Sequence, residues 1–136
     1  MSERISQIAR QLNHPKGLLA GQVAIITGSG QGIGAECARL FANEGAKVVV
    51  SDIDAAKAED VAANIRATGG EALAVAGDLL KDDCIKELVA KAAAFGNGKI
   101  HIIVNNAGFT WDAVIHKAEH PLSPPLRHTH TNTPPR

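Results

Sequence analysis

The stretch Val23 to Gly34, V-A-I-I-T-G-S-G-Q-G-I-G, constrains this chain more than any other part of it. Val23-Ala24-Ile25-Ile26 is short, apolar and rich in β-branched residues, the pattern of a strand buried on both faces. Glycines follow at once at positions 28, 30, 32 and 34. Without Cβ atoms the turn is free to take left-handed angles and to approach a ligand closely. A helix that starts there points its unpaired N–H groups at the same spot, which suits the negative charge of a pyrophosphate.

The rest of the chain repeats this unit. After the turn, Ile33, Cys37, Leu40 and Phe41 fall on one face of a helix that ends near Glu44-Gly45. Lys47 to Ser51 reads as a second strand closed by Asp52. Ala58, Val61, Ala62 and Ile65 mark the buried side of a second helix, stopped by Gly69-Gly70. Glu71 to Ala76 is a third strand. Asp82 or Asp83 can cap a third helix whose buried face is Ile85, Leu88, Val89 and Ala92. Ile100 to Val104 is a fourth strand, followed by Asn105-Asn106-Ala107-Gly108. Strands joined through helical crossovers pair in parallel with right-handed connections. The expected class is therefore α/β: the first half of a Rossmann-type doubly wound parallel sheet, strand order 3-2-1-4, with helices on both faces. Its ligand crevice lies at the carboxyl ends of strands 1 and 4, where the order reverses.

Asp52 stands at the end of the second strand, where an acidic side chain can take both hydroxyls of an adenosine ribose. Its carboxylate would repel the 2′-phosphate of NADP, so NAD is the expected cofactor, preferred over NADP. The alternative is that Asp52 only caps the next helix, a task Asp54 can perform instead.

The general fingerprint G-x-G-x-x-(G/A) fits only as Gly30, Gly32 and Ala35. Thr27-Gly28-x-x-x-Gly32-x-Gly34, however, reproduces T-G-x-x-x-G-x-G. With Asn105-Asn106-Ala107-Gly108 matching N-N-A-G, the chain over roughly Leu19 to Ala118 resembles the short-chain dehydrogenase/reductase family. The resemblance implies cofactor contacts at Gly28, Ser29, Gln31, Gly32, Ile33 and Gly34 in the turn, and at Asp52 and Ile53. It also implies contacts at Asp78 and Leu79 beside the adenine, and at Asn106, Ala107 and Gly108 along the nicotinamide-side ribose. Taken singly, Asp78 reads equally as a turn or helix-capping residue. Family members that use NADP usually carry Arg or Lys in the turn, where this chain has Ser29 and Gln31. Gly108-x-Thr110-x-Asp112 is similar to 3-oxoacyl-(acyl-carrier-protein) reductases, which implies a 3-oxoacyl or similar ketone, with sugar alcohols, steroids and other secondary alcohols open.

In that family a Tyr-x-x-x-Lys pair and a Ser carry the proton chemistry. These 136 residues contain no tyrosine, so no catalytic residue is assigned and whether the chain is itself an enzyme stays open. Fourteen basic residues balance fourteen acidic ones, and no basic run or aromatic stacking set speaks for nucleic acid. No apolar stretch approaches the roughly 20 residues of a membrane span. The expected partner is a small carbonyl or alcohol, and the expected location is cytoplasmic. Residues 1–17 read as an amphipathic helix (Ser2 to Leu12) and linker; Arg4 and Arg10 leave a mitochondrial presequence as the alternative.

Residues 18–118 then form the partial NAD-binding domain, and residues 119–136 a Pro/His/Thr-rich disordered tail. Alanine does not occur after Ala118, and five of the six prolines fall in that last segment. His116, His120, His128 and His130 invite a metal reading, but no Cys or carboxylate set supports it and none is assigned. The fourth strand, apolar apart from His101, lacks a fifth to cover it, and the open edge invites self-association. The composition shift reads as a truncated, inactive dehydrogenase fragment. A non-catalytic NAD-binding module that completes its sheet with a partner is the alternative, as is an enzyme whose second half comes from another chain.

Overall fold

The computed structural model describes residues 17–109. The expected N-terminal helix, the Pro-rich tail, Thr110 to Asp112 and the four tail-side histidines lie outside the described residues. Four strands, β1 (Val23–Thr27), β2 (Lys47–Asp52), β3 (Glu71–Ala76) and β4 (Ile102–Val104), alternate with α1 (Gly32–Asn43), α2 (Ala55–Ala67) and α3 (Asp82–Phe95). All pairings are parallel, as the helical crossovers imply, and the order is the expected β3-β2-β1-β4. In the register, Ile25 stands between Val49 of β2 and Ile103 of β4.

Side chains alternate across the pleat, and this sorts the core into two layers. Ile26, Val48, Val50 and Ala72 point to one face and pack with Ala35, Ala38 and Ala42 of α1 and Ala58, Val61, Ala62 and Ile65 of α2. Ile25, Val49 and Val75 point to the other and meet Leu88 and Ala92 of α3. Val48, Val49 and Val50 are all at 0% exposure, and burying each is worth about 1.5–3 kcal/mol. The middle of β2, with Ile25 and Ile26 beside it on β1, is thus the centre of the core.

The helix starts differ. Asp54 caps α2, its Oδ1 accepting the N–H groups of Ala56 (3.0 Å) and Lys57 (3.2 Å). The N-cap of α3 is Lys81, not Asp82 or Asp83; those two sit in its first turn, where their charge favours the positive end of the helix dipole.

Three packing expectations need correction. In α1 the buried side is Gly34, Ala35, Ala38 and Ala42, while Ile33 and Leu40 are exposed and Cys37 and Phe41 half-buried. The helix lies so close to the sheet that small residues line the contact, and the larger apolar stripe is rotated away from it. In α3, Leu88 and Ala92 are buried as expected, but Ile85 and Val89 are exposed. A single helix about 10 Å wide covers roughly two strands spaced about 4.8 Å apart, and α3 packs on β2 and β3. Finally, β4 is shorter than expected because His101 enters the ladder through its side chain. Its backbone N–H donates to Val23 O (2.9 Å), while its Nδ1 accepts the Val23 N–H (3.0 Å). Ile103, two strands beyond β2 on the α3 face, is 58% exposed.

Candidate functional site

The carboxyl ends of all four strands open into one cavity of about 570 Å³. Gly28, Gln31, Gly32 and Ile33 line it from the turn after β1, and Asp52 and Ile53 from the end of β2. Gly77, Asp78, Leu79 and Leu80 come from the segment after β3, and Asn106, Ala107, Gly108 and Phe109 from the segment after β4. A parallel sheet gathers these loops at one end because every strand runs the same way. Of the residues expected at a cofactor, Ser29 and Gly34 alone lie outside the lining.

The turn is built to bring backbone close to backbone. A Cβ on Gly34 would stand 2.5 Å from both Gly28 O and Asn106 Nδ2, so the start of α1 can approach the loop after β4 only without a side chain. Gly32 differs, with φ +56 and open space where its side chain would be. That glycine keeps the helix start bare toward the cavity. Ser29 is 0% exposed and faces inward: its Oγ donates to Ile26 O (2.6 Å) and accepts from Ser51 N–H (3.1 Å). Its role is to fasten the turn to β2.

α1 carries no such cap at its own start. Gln31, its N-cap, makes no side-chain cap bond, and no acidic residue lies in the first turn. The first N–H groups of a helix have no intrahelical acceptor, and here Gly32 and Ile33 face the cavity. The result is a positive pole with no protein anion on it, which suits a phosphate group.

Asp52 braces this turn while keeping acceptor capacity. Its Oδ2 accepts the Gly30 N–H at 2.9 Å and its Oδ1 the Asp54 N–H at 3.1 Å. A carboxylate has about four lone-pair sites, so two remain for hydroxyl donors in the cavity. Because Asp54 is the cap of α2, Asp52 does not serve as one. Asp78 lines the cavity and also makes a turn, its Oδ1 accepting Leu80 N–H at 3.0 Å.

On the far side, Thr27 and Asn106 lock β1 to the loop after β4. Thr27 Oγ1 accepts the N–H groups of Asn106 (3.1 Å) and Ala107 (3.0 Å) and donates to Val104 O (3.3 Å). Asn106 Nδ2 donates to Thr27 O (3.1 Å) and Gly28 O (3.2 Å). The backbone of Asn106 to Gly108 is thereby pinned along the cavity wall. No buried side-chain polar atom among the described residues lacks a partner.

Sequence reasoning missed four residues here. Gly77, Leu80 and Phe109 extend the lining, and the rule that ligands sit beyond the carboxyl ends of strands could have found Gly77. Lys57 left no sequence signal, because it enters from the first turn of α2 and places Nζ 2.8 Å from Gln31 Oε1.

Residues 22–122 match the model of the family described as short chain dehydrogenase. The chain belongs to that family. The 7α-hydroxysteroid dehydrogenase of Escherichia coli K12 is 48% identical over 90 residues, 66% of this chain and 35% of that protein. Among solved short-chain dehydrogenases, a 7α-hydroxysteroid dehydrogenase complexed with NADH and 7-oxo glycochenodeoxycholic acid matches with a TM-score of 0.65 at 46% identity. That match covers 67% of this chain and 35% of the other. A metagenomic short-chain oxidoreductase in complex with NADP matches with a TM-score of 0.68 at 39% identity, over 74% of this chain and 46% of that one. The chain spans about a third of the length of curated short-chain dehydrogenase relatives such as these. The partial doubly wound sheet is the fold these neighbours share with it.

Proposed function

We propose that this chain binds NAD(H), with the pyrophosphate on the turn from Gly28 to Gly34 and the adenosine ribose on Asp52. Asp78 and Leu79 flank the adenine in this reading, with Ile53 beside them, and Asn106, Ala107 and Gly108 border the nicotinamide-side ribose. The observation that carries it is the convergence on one cavity of an uncapped helix start and a carboxylate with spare acceptor sites. The reaction it serves is hydride transfer between NAD(H) and a secondary alcohol or ketone, the chemistry of an oxidoreductase. Gly108-x-Thr110-x-Asp112 supports a 3-oxoacyl thioester and the hydroxysteroid relatives support a steroid; we assign the substrate to the class that contains both. With no tyrosine in these 136 residues, a tyrosine proton donor would have to come from elsewhere.

NAD is favoured over NADP in this proposal. Like charges about 4 Å apart repel by roughly 1–4 kcal/mol between water and a protein surface, and Asp52 would face the 2′-phosphate at such a distance. The chain should therefore bind NAD about tenfold or more tighter than NADP in a calorimetric titration, since about 1.4 kcal/mol is tenfold. Asp52→Ala should weaken NAD and narrow the gap, and tighter binding of NADP by the unaltered chain would refute the preference.

A second reading is favoured by the exposure of Ile103 on β4. In it the chain is a non-catalytic NAD-binding module that completes its sheet by pairing β4 with a partner, a second copy included.

A further inference from the structure

We propose that Lys57 is a second specificity-determining residue of this site, a cation that faces the ribose 2′ position and limits the bias set by Asp52. The inference rests on the dinucleotide reading above. Two charged side chains converge on Gly30, where a Cβ would lie 2.8 Å from Asp52 Oδ2 and 2.9 Å from Lys57 Cβ. Any side chain at that position would push both away, so its absence lets a carboxylate and a lysine stem share one gap over the turn. From there Lys57 reaches Gln31, its Nζ standing 2.8 Å from Oε1. Lys57 itself is not part of the cavity lining, but Gln31 and Asp52 are, and the ammonium is hydrogen-bonded to the first of them on the side where this reading puts the adenosine.

The partners of that ammonium leave its charge available. Gln31 is neutral. Asp54 faces it with Oδ2 at 3.9 Å, while its Oδ1 accepts two backbone N–H groups as the cap of α2 and so fixes the carboxylate at that distance. An i,i+3 pair this long, on a lysine side chain 48% exposed, holds it weakly. A phosphate oxygen would give the ammonium a charge-assisted bond, about twice as strong as the neutral one it makes to the amide. A 2′-phosphate near Gly30 would thus meet repulsion from Asp52 and attraction from Lys57, whereas a 2′-hydroxyl would meet an acceptor in Asp52. The outcome is a preference for NAD that is narrower than Asp52 alone would set.

The test is calorimetric titration of NAD and NADP on the chain, on Lys57→Ala, Lys57→Arg and Asp52→Ser, and on the double variant Asp52→Ser/Lys57→Ala. Lys57→Ala should lower the ratio of NADP to NAD affinity about fivefold, the scale of a partly exposed charge-assisted contact, and Lys57→Arg should restore it. Asp52→Ser should raise the ratio, and the double variant should lose about fivefold of that rise. The Asp52→Ser pair keeps NADP binding measurable where the parent binds it weakly. A lysine that only supported the turn would move both nucleotides together and leave the ratio alone. A ratio insensitive to Lys57 in both backgrounds overturns this inference while the dinucleotide reading stands. Failure of the unaltered chain to bind either nucleotide overturns both.

Discussion

Replacing Thr27 with valine tests whether the site is held by hydrogen bonds or by packing. Valine keeps the volume and β-branching of threonine at the end of β1, so transfer and propensity terms nearly cancel. What it removes is Oγ1, leaving the Ala107 N–H without its acceptor, while the Asn106 N–H keeps its second acceptor, Val104 O at 3.1 Å, which in turn keeps a donor. Thr27 is 7% exposed, yet the loop it holds is only part-buried, so water can partly reach the stranded group. The cost of one unsatisfied N–H, about 1–3 kcal/mol, is the expected loss. Thr27→Ser keeps the hydroxyl and loses one methyl, about 0.5–1.5 kcal/mol. Urea unfolding followed by circular dichroism should therefore rank the parent above Thr27→Ser and Thr27→Ser above Thr27→Val. At a denaturant slope of about 1–3 kcal/mol/M, the valine midpoint should fall by roughly 1 M. NAD affinity should fall with it, because the Ala107 backbone loses its anchor. If Thr27→Val is as stable as the parent, or if serine is the worse of the two, the hydroxyl is not what ties β1 to the loop after β4.

Gly34→Ala should destabilise by about 1–3 kcal/mol and weaken NAD binding, since its Cβ would meet Gly28 O at 2.5 Å; a melting temperature equal to the parent's would contradict this. Ile103→Lys should lower any concentration-dependent association seen by analytical ultracentrifugation while leaving the monomer folded, because Ile103 is exposed on β4; association unchanged by the lysine would point away from this edge. Burial pushes the Cys37 thiol up from its ordinary value of 9.0. A raised acid pKa in the fold means that its stabilising contribution is complete below that value and is lost as pH rises through the higher one. Urea titrations of the parent should show stability falling above about pH 9, Cys37→Ala should flatten that fall, and an unchanged slope would refute the shift.

The strands and their order were legible in the sequence because each is a short apolar run closed by a glycine, an aspartate or, after β4, an asparagine pair. The burial of α2 was legible too, since Ala58, Val61, Ala62 and Ile65 follow the helical period and all four are buried. The same rule misjudged α1, whose large apolar residues follow the period as well. Period identifies a stripe, but the gap between helix and sheet decides whether the stripe or its alanine neighbour fits, and that gap is a property of the assembled layers. In α3, Ile85 and Val89 satisfy the pattern and remain exposed, because burial depends on which strands stand opposite.

The cavity divides along the same line. Chain order alone determined that Gly28 to Gly34, Asp52, Asp78 and Asn106 to Gly108 would stand at one end of the sheet, because parallel strands place every carboxyl end together. Residue type alone put a carboxylate at the end of β2 and a turn without Cβ atoms after β1. Only the tertiary structure decided that Ser29 faces inward to fasten β2, and that Thr27 is the hub joining β1 to the far loop. It also decided that Lys57 reaches Gln31 across the turn. Those three depend on contacts between residues about 20 to 80 positions apart, whose distances follow from packed strands and helices and leave no trace in local spacing.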